Sequence, residues 1–335
     1  MKKLFFLLAI LIAAVNINAD TFWLGADVSG TSELERRGVQ LYNAAGQPRD
    51  NFSLMKELGM NAIRLRVWVN PKFDECSPAD VAQMAQRAHD LGLAIMIDFH
   101  YSDWWADPGK QFIPEQWKDF SFEQMCHAVA QHTAYTLKLI KERGIDVTWI
   151  QIGNETTNGF LWPMGNAHDN MRQYAGLTEA GYQAAKNVYP DAICIVHIDC
   201  GSDINRYNYI FDGLKQYGAH WDMIGMSVYP YWDLKEHLTE SEDETLSKVI
   251  ANIKTLHKKY GTPLMIVETG YDVMCPNQGK LFMQRLISQA YSNTDGACRG
   301  VFYWAPEAEG QYPLGAFHDR RPTIILDPFD TRLLK

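Results

Sequence analysis

Two glutamates, Glu155 and Glu268, each close a short apolar run in the sequence, WIQIGNE and LMIVE. A carboxyl group held neutral near pH 7 can protonate the oxygen that leaves a glycosidic carbon. A second carboxyl that stays ionised can attack that carbon from the other side. In a double displacement the two groups stand about 5–5.5 Å apart. The residues also admit a plainer reading, in which Glu155 caps a loop and Glu268 pairs with an arginine for structure. Asn154-Glu155 alone favours the plainer one, so the elements that would position the pair have to decide.

Those elements repeat along the chain. Strand candidates are Trp23-Asp27, Ala62-Trp68, Leu93-Phe99, Val147-Gly153, Ala192-Asp199, Met223-Tyr229, Pro263-Glu268 and Gly300-Trp304. Runs such as AIMID and MIGMSV are apolar throughout, as strands covered on both faces are. Amphipathic segments separate them. In 78–91, Val81, Met84, Ala85, Ala88 and Leu91 recur at helical spacing. Leu58-Gly59, Leu91-Gly92, Arg143-Gly144, Tyr217-Gly218 and Tyr260-Gly261 place glycine where helices end. Eight strand–helix repeats without an internal linker predict an α/β fold, a single-domain (β/α)8 TIM barrel. A doubly wound sheet would want a glycine-rich phosphate turn after its first strand, and GADVSG is not GxGxxG. The last repeat is the weakest, because two prolines interrupt 322–335.

In such a barrel the strand C-termini form the active face. Asp27, Arg64, Arg66, Trp68, Asp98, His100, Asn154, Glu155, His197, Asp199, Tyr229, Glu268 and Trp304 all fall on or just past those ends. Strands 4 and 7 lie on opposite sides of the barrel, so Glu155 and Glu268 can face each other across its mouth. Arg64 and Arg66 share a face by strand alternation. Asp103, Trp104, Trp105, Trp162 and Trp232 lie in loops over the same end. Indole rings can stack on the apolar faces of pyranoses; at least two of these five residues are expected to contact sugar. Of the ten tryptophans, Trp23, Trp149 and Trp221 are assigned to the core and the other seven to the active face.

Four longer segments carry a family likeness: GADVSG with LERRGVQLYNAAGQPRD, GMNAIRLRVWVNP, IDFHYSDWWADPGKQFIPEQW and WIQIGNETTNGFLWP. SVYPYW, VETGY and VFYWAPE follow in order. The chain resembles glycoside hydrolase family 53, the endo-β-1,4-galactanases of clan A, over nearly its whole length. The resemblance implies Glu155 as acid/base and Glu268 as nucleophile, cleaving β-1,4-galactan or type I arabinogalactan with retention and without a cofactor. It implies that Arg64 sits by the nucleophile and keeps it ionised, that Tyr229 donates to it, and that Asn154 holds the sugar 2-hydroxyl. His100 and Trp304 would line the point of cleavage. Asp27, Trp68 and Asp199, with the five loop residues, complete the expected substrate contacts; the role of Arg66 stays open. The run Trp304-Ala305-Pro306-Glu307 departs from the family, and so does Asp199-Cys200-Gly201. The short segment from Asp272 to Asn277 leaves no room for the calcium loop of some members, so no metal is expected.

A formal charge of −9 argues against a nucleic-acid partner and suits a neutral polysaccharide. Lys2 and Lys3 precede an apolar run, Leu4 to Val15, and small or polar residues end at Ala19. This is the pattern of a signal peptide over 1–19, with a catalytic domain over 20–335 that is secreted or periplasmic. No membrane anchor is expected, and the protein is expected to be monomeric. The six cysteines form no CxxC pair and are read mostly as core packing. Three other functions remain: a mannanase or cellulase of the same clan, a metal-dependent barrel hydrolase, and a non-catalytic sugar-binding barrel. Ala26-Asp27, where the metal class has HxH, and the presence of both glutamates weigh against the last two.

Overall fold

The computed structural model describes residues 21–310 and 312–334. The signal segment expected over 1–19 lies outside them. Eight parallel strands close into one barrel in sequence order. They are β1 (Trp23–Asp27), β2 (Ala62–Val67), β3 (Ala94–Phe99), β4 (Trp149–Ile152), β5 (Ile193–Ile198), β6 (Met223–Val228), β7 (Leu264–Thr269) and β8 (Cys298–Trp304). All eight expected strands are present, with no end displaced by more than two residues.

Seven helices cover the barrel: α1 (Asn51–Glu57), α2 (Pro78–Asp90), α3 (Phe122–Lys141), α4 (Ala167–Val188), α5 (Ile204–Gln216), α6 (Glu242–Tyr260) and α7 (Pro276–Ser292). Ser77 caps α2 by accepting from the Asp80 N–H, and Pro78 occupies the first turn, where no N–H is needed. Ser121 and Gln124 form a reciprocal capping box on α3. All five glycines expected at helix ends have positive φ. In the eighth repeat a 3₁₀ segment, Ile324–Phe329, contains Pro328 and packs on α7 in place of a full helix.

Alternation along the strands divides the interior into two layers. Trp23, Ala62, Met96, Trp149, Met265 and Phe302 fill the lower barrel. Trp23 and Phe302 meet Trp149 edge-on at 4.9 and 6.1 Å. Gly25 is needed here, because a Cβ would come within 2.5 Å of the Phe302 ring. Above this apolar plug the same inward positions turn polar, with Arg64, Asp98, Gln151 and His197 all fully buried. That layer is the floor of the site. All six cysteines are free thiols, four of them buried.

Candidate active site

Local backbone irregularities aim both glutamates. Along β7, Met265 and Val267 face the barrel interior and Ile266 faces the helices. Strict alternation would send Glu268 outward. A bulge intervenes: Met226 pairs with Ile266, but Ser227 pairs with Glu268. The extra residue on β7 turns Glu268 inward. After β4 the chain bends through Gly153 (φ 84°) and Glu155 (φ 45°). A left-handed conformation at a glutamate costs roughly 1–3 kcal/mol, and the surrounding contacts hold it there. The Glu155 N–H donates to His197 Nδ1 at 3.3 Å.

Arg64 is fully buried and organises the floor. Its guanidinium is 2.8 Å from Asp27 Oδ2, 2.9 Å from Asp98 Oδ2 and 2.8 Å from Glu268 Oε1. It also donates to Asn154 Oδ1 at 2.8 Å. The Tyr229 hydroxyl donates to Glu268 Oε2 at 3.2 Å. Glu268 thus has a cation on one oxygen and a hydroxyl donor on the other. Glu155 has only the Ser227 hydroxyl, at 2.6 Å from Oε1.

This asymmetry separates the two acids. Burial raises the proton affinity of both. At Glu268 the Arg64 charge opposes burial, with Tyr229 on its side and the smaller negative charges of Asp98 and Asp27 against it. At Glu155 burial is reinforced by the negative charges of Glu268 and Asp199, and only Ser227 opposes it. The first carboxylate to form is therefore Glu268, and the retained proton belongs to Glu155. Burial, with Arg64 nearby, keeps His197 neutral; His100 is held down too, chiefly by burial.

Glu155 and Glu268 line one cavity of about 510 Å³. His100, Asn154 and Tyr229 also reach it, and Trp105, Trp232, Trp304 and Tyr312 give it aromatic walls. Two acids of separated proton affinity in an aromatic-walled cleft can perform acid-assisted displacement at a sugar carbon.

The model of the family described as glycosyl hydrolase family 53 matches residues 23–315. The chain belongs to glycoside hydrolase family 53. An Aspergillus fumigatus protein named a probable arabinogalactan endo-β-1,4-galactanase A is 29% identical over 312 residues, 86% of this chain and 85% of its own. An endo-β-1,4-galactanase of Bacillus subtilis is 29% identical over 315 residues, 85% of this chain and 70% of its own. A solved fungal β-1,4-galactanase superposes with a TM-score of 0.83 at 26% identity, covering 92% of this chain and 99% of that one.

The structure brings many of the expected site residues of this family 53 hydrolase to the cavity: His100, Trp105, Asn154, Glu155, Asp199, Tyr229, Trp232, Glu268 and Trp304. Others stand behind or beside it. Asp27 is 1% exposed and accepts from Ser29 while pairing with Arg64, so it braces the arginine instead of lining the cavity. Arg64 touches Glu268 from below. Trp68 is buried under Trp104, rings stacked at 5.0 Å, and Trp104 is 55% exposed outside the cavity. Asp103 accepts the backbone N–H groups of Asn70 and Glu115, so it clasps two loops. Trp162 donates to the Asn158 carbonyl at 2.9 Å and does not line the cavity. Of the five loop residues, Trp105 and Trp232 line it. Trp117, assigned to the active face, is instead buried against His132 of α3.

Several residues of this enzyme's site were not singled out by the sequence. Ser227, Asp107, Lys110, Arg206 and Glu236 line the cavity. Gln151, also missed, braces Arg64 together with Asp98, a strand-end residue the sequence did mark; the two sit opposite each other across β3 and β4. Arg66 lies under the Trp105 and Trp68 rings, 3.8 and 4.7 Å from their centres, and donates to Cys76 Sγ at 3.3 Å. Among the described residues, only the exposed group Glu309, His318 and Asp319 gathers three potential metal ligands. Both Glu309 oxygens there accept backbone N–H groups, of Asp319 and Arg320, which makes it a loop clasp.

A second cavity, of about 710 Å³, lies across the Trp105–Trp304–Tyr312 wall and is bordered by Glu307. Glu307 is 3% exposed, and burial with the Asp27 charge pushes its carboxyl up to about 8. An acid whose folded pKa exceeds its unfolded value lends stability fully below the unfolded pKa. That stability fades as pH rises toward the folded pKa, here between about pH 4.5 and about 8. Glu307→Gln carries no such charge. Its melting temperature relative to the parent is expected to rise by a few degrees between pH 5 and pH 9. A constant difference across that range, by calorimetry, would show that Glu307 does not titrate with folding.

Proposed function

We propose that this glycoside hydrolase cuts internal β-1,4-galactosidic bonds of galactan or type I arabinogalactan by double displacement. The observation that carries the chemistry is the unequal support of the two acids: Arg64 and Tyr229 on Glu268, Ser227 alone on Glu155. The galactanase names of the family relatives support the substrate. Glu268 attacks the anomeric carbon while Glu155 gives its proton to the leaving oxygen. Glu155 then takes a proton from water, which displaces Glu268 and restores both groups with the β-configuration kept. As positive charge grows on the ring, the Glu268 carboxylate is drawn closer, and Arg64 keeps it anionic until then. Asn154 is oriented by Arg64 on its oxygen and by the Ala106 carbonyl, 2.8 Å from its nitrogen. Its remaining N–H is available to the sugar 2-hydroxyl. Trp105, Trp232 and Trp304 supply stacking faces.

Unbranched β-1,4-galactan, mannan and cellulose, assayed separately, test the substrate. A ladder of galactose oligomers from galactan alone is expected, with the β-anomer first in the NMR spectrum. Initial α-anomer refutes the mechanism, and activity confined to mannan or cellulose refutes the substrate. Lys2, Lys3 and the apolar run to Val15 support export to the periplasm or medium. Among the described residues no helix is long and apolar enough to cross a membrane. We take the working form to be the monomer, since one chain holds both acids and the whole cavity.

A further inference from the structure

A hydrogen-bonded chain runs from the barrel floor to Glu155. A backbone N–H can only donate, so the Glu155 N–H, 3.3 Å from His197 Nδ1, requires a lone pair there. The Gln151 amide nitrogen also lies 3.2 Å from Nδ1. Its orientation is fixed, because that nitrogen donates to Asp98 while the Gln151 oxygen accepts from Arg64. Asn154 Oδ1, 3.1 Å from Nδ1, is already engaged by Arg64 at 2.8 Å. Neutral His197 therefore carries its proton on Nε2, which lies 2.8 Å from Ser227 Oγ. With Ser227 Oγ accepting from the imidazole, its own hydrogen points to Glu155 Oε1, 2.6 Å away. All three side chains are held by strands or the strand end, and Ser227 sits beside Glu268 in the β6–β7 register.

We propose that His197 and Ser227 are positioning residues that decide which oxygen of Glu155 carries the transferable proton. Oε1 is claimed as an acceptor in both protonation states, so the proton resides on Oε2. The acid then needs neither rotation nor tautomer exchange between donating to the leaving oxygen and accepting from water. The inference rests on Glu155 being the acid/base. Other groups interact electrostatically with Glu155: Glu268 of β7, Asp199 after β5, Asp107 after β3, Tyr207 of α5, Tyr229 after β6 and Tyr312 after β8. Asp199 is itself paired with Arg206. Around His197 they are Arg64 and His100. None of these donates to Oε1, so removing the serine hydroxyl leaves that oxygen without its donor.

Ser227→Ala tests this on galactan and on an aryl β-galactoside with a leaving group too good to need protonation. On galactan, kcat is expected to fall 10- to 100-fold with KM little changed. The basic limb of the kcat profile is expected to move to higher pH, because the hydroxyl favours the ionised form. The aryl substrate should keep its bond-cleavage rate, and Ser227→Thr should recover most of the loss on galactan. A merely structural serine would depress both substrates alike and leave the limb in place; that result overturns the proposal, as does wild-type kcat with an unmoved limb. Glu155→Ala run alongside separates the two claims. If it too retains turnover on galactan, the acid assignment has failed; if it is inactive while Ser227→Ala is normal, only the relay has failed.

Discussion

Glu268→Ala is expected to lower kcat on β-1,4-galactan by ~10⁴-fold or more while the barrel stays folded. Folding survives because Arg64 keeps Asp27 and Asp98 at 2.8 and 2.9 Å when the third carboxylate is gone. The truncation opens an anion-sized space beside that cation, on the face from which Glu268 attacked. Azide entering it can displace an activated leaving group in a single step, which gives an α-galactosyl azide. Glu155→Ala should behave differently. Its loss on galactan should be ~10²–10⁴-fold, the usual worth of general acid–base help, and small on an activated aryl galactoside. There the glycosyl–Glu268 ester accumulates, and azide using the space left by Glu155 returns the β-azide. The stereochemistry of the azide product, read by NMR, therefore assigns each glutamate separately. Exchanged anomers would reverse the roles, and wild-type kcat in either variant would remove that residue from the mechanism.

The barrel was legible because its strands obey a simple period. Ala62, Arg64 and Arg66 point inward from β2, and Ala94, Met96 and Asp98 from β3, as alternation requires. The apolar-to-polar change along each strand marks where core gives way to site. Ser227 obeys the same rule, two residues before Tyr229 and after Gly225, but a small hydroxyl in MIGMSV carries no charge to draw notice. Glu268 does not obey it. Alternation from Met265 and Val267 points Glu268 at the helices, and only the bulge between β6 and β7 turns it inward. A bulge is one extra residue in a ladder, and LMIVET has no glycine to announce it; the strand end picked out Glu268 and family likeness gave its role, but periodicity gave it the wrong direction. Loop residues were harder still. Asp103, Trp104 and Trp162 follow strand ends as Trp105 does, yet one clasps loops, one lies outside on Trp68 and one is tied to Asn158. Their directions depend on turns that a single sequence does not specify. Asp27 and Asp98 show a further limit: a polar residue at a strand end can serve the site through an arginine without reaching the cavity.

That arginine gives the prediction with the widest reach, because Arg64→Met should damage stability and turnover through one cause. Methionine fills much of the same volume, so packing alone predicts a modest loss. Electrostatics predicts more. Asp27, Asp98 and Glu268 converge on one buried guanidinium, and without it their charges face each other with little solvent to screen them. Breaking a buried pair of this kind costs ~3–5 kcal/mol, and here the remedy is proton uptake. Folding of the variant should then bind protons that the unfolded chain, with ordinary acids, does not hold near neutrality. By linkage its stability falls as pH rises, so the deficit against the parent should be small near pH 4.5 and large near pH 8. The same protons disable Glu268 as a nucleophile, so the acid limb of kcat should move up by more than one pH unit. Arg64→Lys keeps the charge but not the planar set of donors that reaches three carboxylates and Asn154 at once; it should recover much of the stability and little of the rate. Arg66→Met supplies the control. Arg66 lies against indoles and the Cys76 sulfur and acts on Glu307 only as a minor opposing charge, so the deficit on its loss should change with pH much less than that of Arg64→Met. Denaturant unfolding of the three variants at pH 4.5 and 8 gives the comparison. A deficit for Arg64→Met that does not change with pH would mean the carboxylates never depended on that cation.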